Sequence, residues 1–145
     1  QDPEGQYAAV IPKFVESILQ LESPVVFGDG EQTRDFTYID NVVQMNLNAL
    51  STTNDDAFGE IFNVACGSRI SINQLFLSIR DLLSKHDPSL QAVEATHLGE
   101  RPGDIRHSLA NISKAIAHLD YTPAYDCQQG LEEAMNWYWD SLRGD

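Results

Sequence analysis

Positive charge is scarce in this chain. Nine Lys and Arg stand against 22 Asp and Glu, a formal net charge of −13 over 145 residues. Such a chain repels polyanions at long range, which argues against nucleic acid and anionic membrane surfaces as partners. A small anionic ligand stays open where a few arginines override the background locally, so every arginine off a helix face is informative. Cysteine is almost missing. Cys66 and Cys127 cannot make a disulfide scaffold in a chain of this length and are expected as reduced, mostly buried thiols. No apolar run reaches the length of a bilayer span, and no charged-then-apolar leader opens the chain. A soluble, reducing, cytoplasmic setting is expected, in which the sequon Asn111-Ile112-Ser113 is accidental. There is no initiator Met and no starting element around Gln1-Asp2-Pro3-Glu4-Gly5, so a piece of something longer is expected.

Catalytic signatures are missing too. No Gly-x-Gly-x-x-Gly or Gly-x-x-Gly-x-x-Gly loop occurs, so no dinucleotide fingerprint is present. No Tyr-x-x-x-Lys pair occurs, and no Ser-His-Asp or Cys-His arrangement can be assembled. His97, Glu100, Asp104 and His107 lie close in sequence, but their spacing matches no structural zinc pattern and no Cys joins them. No catalytic, cofactor-binding or metal-ligating residue is therefore assigned in this chain.

What is present describes a globular domain: 42% hydrophobic and 21% charged residues, enough to close a core. Val10, Ile11, Phe14, Val15, Ile18 and Leu19 recur at helical spacing, with Pro12 tolerable only in the first turn. That helix should begin between residues 8 and 11 and end before Ser23-Pro24. Val25-Val26-Phe27 predicts a short strand, Asp29-Gly30 a turn, and residues 34–39 a second strand returning as a hairpin. Asp40 or Asn41 can cap the next helix, with Val43, Leu47 and Leu50 on one stripe. Residues 61–66 predict an apolar strand that wants neighbours on both sides. Ser71 with Gln74, and Asp126 with Gln129, are capping boxes opening two further helices. Residues 91–96 predict a weak strand, and Asn111 a cap for a short helix. His86 and His118 fall where helices end, favourable beside a C-terminal dipole. No repeat of 20–50 residues occurs. The fold class is α/β, helix-rich.

Three segments carry more than core and caps. In Gly28-Asp29-Gly30-Glu31-Gln32-Thr33-Arg34-Asp35-Phe36, glycines let the backbone approach a ligand, and an arginine at a strand end can grip a phosphate through two parallel N–H bonds. A plain hairpin with Arg34 paired to Asp35 or Glu31 explains the same residues. In Glu100-Arg101-Pro102-Gly103-Asp104-Ile105-Arg106-His107-Ser108, a Pro-Gly turn sets Arg101 and Asp104 on a loop. A cation beside a carboxylate suits a ligand with phosphates and ribose hydroxyls; an internal Arg101–Asp104 pair that fixes the loop is the alternative. Residues 7–12 enter a helix through small residues, and helix N-termini favour anions, although simple helix initiation accounts for them equally.

In chain order these segments read Val-Ile-Pro, then Val-Phe-Gly-Asp-Gly-(x)3-Arg-Asp-Phe-x-Tyr-Ile-Asp-Asn, then Arg-Pro-Gly-Asp-(x)2-His-Ser. The combination resembles the C-terminal half of the extended short-chain dehydrogenase/reductase family, over essentially the whole chain. It is most similar to the UDP-N-acetylglucosamine/UDP-glucose 4-epimerase branch. The Gly-Asp-Gly…Arg-Asp motif belongs to the extended family at large, whereas Gln1-Asp2-Pro3 and residues 7–12 favour the epimerases. The resemblance implies that residues 1–145 form the nucleotide-sugar-binding domain, with the NAD-holding Rossmann portion outside it. Residues 61–66 would then be a strand of the Rossmann sheet, whose bare edges invite self-association. It further implies that Arg34 and Arg101 clamp the diphosphate and that Asp104 accepts hydrogen bonds from the uridine ribose. Val25 and Phe27 would meet the uracil through backbone, Phe27 also by its ring. Ala9 and Val10 would line the phosphate and sugar end, a small Ala9 leaving room for an N-acetyl group, and Ser108 would lie near the sugar. In the full-length enzyme, a homodimer by the same resemblance, NAD would take hydride from C4 and return it to the other face. Without the Tyr-x-x-x-Lys pair, this chain alone is expected to bind no NAD and to turn nothing over. Two readings stay open beside it: a stand-alone nucleotide-sugar-binding module without chemistry, and a fragment of a dehydratase or decarboxylase of the same family.

Overall fold

The computed structural model describes residues 9–143, so the expected contributions of Gln1-Asp2-Pro3, Tyr7 and Ala8 lie outside the described residues. The chain is a helix-rich α/β fold. Its elements are α1 (Val10–Leu19), β1 (Val25–Phe27), β2 (Thr33–Arg34), α2 (Ile39–Ser51), β3 (Ile70–Ser71), α3 (Ile72–Ser84), β4 (Thr96–Leu98), α4 (Ser113–Leu119) and α5 (Cys127–Arg143), with 3-10 turns at Asp55–Ala57 and Pro88–Ala92. Two compact units form. Among the described residues, one holds residues 9–32, 71–106 and 131–143; the other holds residues 33–70 and 107–130.

The first unit is built on α1 and α3. Phe14, Val15, Ile18 and Leu19 on one side and Leu75, Phe76, Ile79, Leu82 and Leu83 on the other are all buried, the outcome of an apolar stripe at helical spacing. Phe14 and Phe76 meet edge to face with ring centres 6.0 Å apart. The Ser71–Gln74 capping box closes as expected: Ser71 Oγ accepts the Gln74 N–H at 3.2 Å, and Gln74 Oε1 accepts the Ser71 N–H at 3.1 Å. The expected hairpin does not form. β1 pairs in parallel with β4, Val25 opposite Thr96 and Phe27 opposite Leu98. The weak strand expected at 91–96 is displaced with it. Asp87 Oδ1 accepts the Ser89 N–H and draws residues 88–92 into a 3-10 turn, and strand geometry begins only at Thr96, where its N–H reaches the Pro24 carbonyl at 2.9 Å.

The second unit packs Met45, Ala57, Ala115, Leu119 and Tyr121 together, with Phe62, Val64 and Ile112 against them. Tyr121 donates its hydroxyl to the Ala65 carbonyl at 2.9 Å. Asn41 is not a cap here. Tyr38 holds the N-cap position of α2 and Asp40 sits in the first turn, while Asn41 is fully buried. Its Oδ1 accepts the Tyr125 N–H at 3.0 Å and its Nδ2 donates to the Tyr125 carbonyl at 2.8 Å. The same residue type serves both roles, and burial selects the second. Asn48 and Asn54 likewise donate to the Leu119 and His118 carbonyls at the end of α4, which satisfies acceptors a helix terminus leaves open. The Asp126–Gln129 box forms in both directions. Asn111 Oδ1 accepts the Ser113 N–H at 2.9 Å, so Asn111 does serve the start of α4.

Sequence expectation and structure part at residues 34–39 and 61–66 of this unit. Residues 34–39 do not make a strand beyond Arg34, because Asp35 turns its carboxylate to the N–H groups of Cys66 and Gly67 at 3.0 and 3.2 Å. The apolar stripe of α2 faces outward: Ile39, Val43, Leu47 and Leu50 are 61%, 49%, 59% and 84% exposed. Residues 61–66 form no strand within this chain. A strand is a ladder, and no strand pairs with this segment among the described residues; Ile61 is exposed and Ala65 buried.

Candidate functional site

The residues singled out by sequence divide between the units. In the first unit, Pro24 accepts from Thr96, and Gly28 donates to the Leu98 carbonyl at 2.9 Å. Alternate residues of a parallel strand address the same neighbour, so Val25 and Phe27 direct their backbone groups to the open side of β1. Both side chains are partly exposed. The Phe27 carbonyl accepts the buried Gln32 side-chain amide at 2.8 Å.

The turn after β1 is pinned on α3. Gly28 and Gly30 both have positive φ, 71° and 75°, the region that glycine enters without cost. A Cβ at Gly30 would fall 1.9 Å from Asn73 Oδ1. Asn73 Nδ2 donates to the Asp29 carbonyl at 2.9 Å and to Glu31 Oε1 at 2.7 Å. Side-chain size at residue 30 is therefore limited by packing as well as by backbone conformation.

Arg101 and Asp104 are brought together by a tight turn. Pro102 and Gly103 (φ 81°) occupy its centre, and the Asp104 N–H donates to the Arg101 carbonyl at 3.1 Å, the pattern of a type II turn with Pro then Gly. A cleft of about 180 Å³ opens beside it, lined by Phe27, Gly28, Gln32, Glu100, Arg101, Asp104 and Arg106. The Arg101 guanidinium lies over the Phe27 ring, 5.0 Å from its centre, a favourable cation–π position. Sequence reasoning thus named Phe27, Arg101 and Asp104 in this cleft and missed Gln32, Glu100 and Arg106. Arg106 makes a two-pronged ion pair with Asp29, both contacts at 2.7 Å. That pair, joined by the Glu31 N–H, lowers the Asp29 carboxyl to about 2. The available signal was that both residues fell inside the segments already flagged.

Val10 opens α1, and Ala9 stands at its N-cap with no side-chain hydrogen bond. His97, considered as a metal ligand, faces the Gly28 carbonyl through Nδ1 at 3.0 Å.

In the second unit, Arg34 Nη1 donates to the Thr33 carbonyl at 2.8 Å, and the Ser108 N–H donates to the same oxygen at 3.1 Å. Thr33 and His107 form a parallel bridge, with Thr33 Oγ1 3.0 Å from His107 Nδ1. Arg34 and Ser108, distant in sequence, are therefore neighbours. Cys66 and Cys127 are free thiols. Burial raises both, Cys127 to about 11, which favours the thiol over the thiolate at neutral pH.

The helix-rich α/β arrangement is that of the extended short-chain dehydrogenase epimerases, and the comparisons with known proteins agree. Residues 1–65 match the NAD dependent epimerase/dehydratase family. The UDP-N-acetylglucosamine 4-epimerase of Methanobrevibacter ruminantium, solved in complex with UDP-N-acetylmuramic acid, is 39% identical with a TM-score of 0.83 over 97% of this chain and 42% of its own. The UDP-glucuronic acid 4-epimerase of Bacillus cereus, solved with UDP-glucuronic acid and NAD, is 30% identical with a TM-score of 0.78 over 97% and 41%. A Methanocaldococcus jannaschii protein designated a UDP-glucose 4-epimerase is 37% identical over 137 residues, 94% of this chain and 41% of its own. Over nearly its whole length the chain is thus similar to sugar-nucleotide epimerases, and its first 65 residues carry the match to the NAD dependent epimerase/dehydratase family. It spans about 41% of the length of that curated relative. No helix among the described residues is long and apolar enough to cross a membrane.

Proposed function

We propose that this chain forms the UDP-binding lobe of a cytoplasmic, NAD-dependent UDP-sugar 4-epimerase. One observation carries the reading: Phe27, Arg101 and Asp104 line a single cleft, with the Arg101 guanidinium on the Phe27 ring. The backbone edge at Val25 and the Phe27 N–H suit the edge of a uracil, Asp104 the ribose hydroxyls, and Arg101 the diphosphate. The family resemblance also assigns Arg34 to the diphosphate, Ser108 to the sugar end, and Ala9 and Val10 to the phosphate and sugar wall. A charge-assisted bond from an arginine to a phosphate would contribute about 1.5–3 kcal/mol. Gripping the nucleotide leaves the sugar free to turn, as a 4-epimerase requires.

The glycine turn after β1 does not suit a dinucleotide. The paired glycines 28 and 30 lead into a turn filled by Asn73, and the N-terminus of α3 is already occupied by its own capping box. A dinucleotide pyrophosphate needs an open helix N-terminus behind glycines. On this reading NAD, the proton-transfer pair and turnover belong to the remainder of a full-length protein, and the chain alone is without epimerase activity. The test of the nucleotide reading is calorimetry of the chain with UDP and with UDP-N-acetylglucosamine. Weak saturable binding of both is expected, and no heat beyond dilution with UDP at millimolar concentration would refute it.

The exposed stripe of α2 and the unladdered residues 61–65 support a second part of the proposal. In a full-length homodimeric enzyme these surfaces are covered by the rest of the protein, and in this chain they drive self-association. Light scattering should show a mass that rises with concentration and falls back toward the monomer on Leu47→Asp. A clean monomer at high concentration would count against it.

A further inference from the structure

The loop that carries Arg101 and Asp104 has one tight turn at its centre and solvent-exposed residues around it. Residues 99–105 include Gly99 and Gly103, and this stretch and Arg106 after it are exposed. Left alone, such a loop samples many shapes, and a ligand must order it at the cost of affinity. Both ends of the loop are nevertheless fastened to adjacent residues. At the near end, Gly28 donates to the Leu98 carbonyl at 2.9 Å, and His97 Nδ1 lies 3.0 Å from the Gly28 carbonyl. At the far end, Arg106 holds Asp29 with both prongs at 2.7 Å. Asp29 itself does not move freely, because Asn73 holds its carbonyl and the Glu31 N–H holds its carboxylate.

We propose that the Arg106–Asp29 pair is a clasp that closes the loop of residues 99–105 onto the turn after β1 and thereby positions Arg101 and Asp104 for the nucleotide. Arg106 and Asp29 are positioning residues, although Arg106 also lines the cleft. The inference deepens the UDP-binding reading and rests on it for its effect on affinity. An exposed ion pair contributes little to global stability. A two-pronged pair contributes direction, however, and closing a short loop at both ends removes much of its freedom. The effect of the clasp therefore appears in loop order and ligand affinity, with little change in the melting of the fold.

The test compares wild type, Arg106→Gln and Asp29→Asn by hydrogen exchange of a peptide covering residues 99–106 and by UDP calorimetry. Asp29→Asn keeps Oδ1 as an acceptor for the Glu31 N–H while removing the charge. Both variants are expected to exchange this peptide several-fold faster, leave α1 and α3 protected, and bind UDP about tenfold more weakly, the loss expected when ordering must be done at binding. Unchanged exchange in the two variants would overturn the clasp. So would weaker UDP binding in Arg106→Gln with unchanged or tighter binding in Asp29→Asn, since that pattern makes Arg106 a direct ligand contact held back by its partner. If wild type binds no UDP, the nucleotide reading fails, and the exchange comparison alone still judges the clasp.

Discussion

Arg101→Ala is expected to weaken UDP binding by roughly 10- to 150-fold, the span of one charge-assisted contact of about 1.5–3 kcal/mol. The guanidinium is exposed and rests on the Phe27 ring, so its removal leaves no buried group unpaired and the melting temperature should stay close to wild type. Arg101→Lys separates charge from shape. An ammonium keeps the positive charge but loses the flat fork that can face two phosphate oxygens and lie on an aromatic ring. Affinity between that of wild type and that of the alanine variant is therefore expected. Equal affinity for wild type and Arg101→Ala, measured by calorimetry on folded protein, would remove Arg101 from the site.

The largest stability effect is expected at Asn41. Asn41→Leu leaves the Tyr125 N–H and carbonyl without the side-chain partners they have at 3.0 and 2.8 Å. Each such unmade bond costs about 1–3 kcal/mol, so a loss of about 3 kcal/mol is expected, read as a lower urea midpoint. The contact fastens α2 to the segment before α5, two parts of the second unit 84 residues apart. Asn46→Ala is the control. Asn46 is exposed and donates within its own helix, to the Val42 carbonyl; its removal should leave the midpoint within about 0.5 kcal/mol of wild type. If Asn41→Leu behaved like Asn46→Ala, the buried amide would not be what holds the unit together.

Short-range physics was legible in the sequence, and pairing was not. Both capping boxes formed because each depends on residues three apart. The core faces of α1 and α3 followed from spacing alone. β1 was correctly placed, yet its partner was misassigned: the glycine turn suggested a neighbour a few residues on, whereas the ladder forms with residues 96–98. Residues 61–66 had the composition of a strand, but composition does not supply a neighbour. The stripe on α2 was correctly seen as a stripe; periodicity cannot say whether a face is covered within the chain. Arg106 was overlooked because its partner Asp29 lies 77 residues away. Arg101 and Asp104 were legible as neighbours because Arg-Pro-Gly-Asp fixes a turn locally, whereas their proposed role came from the resemblance alone.

The proposed function turns on Arg101 and Asp104 gripping a nucleotide beside Phe27. A crystal structure of the chain with UDP tests this most directly. The Arg101 guanidinium should lie about 2.7–2.9 Å from diphosphate oxygens, with Asp104 on the ribose and the base against Phe27. UDP bound elsewhere, or with Arg101 turned away from the phosphates, would contradict the proposal.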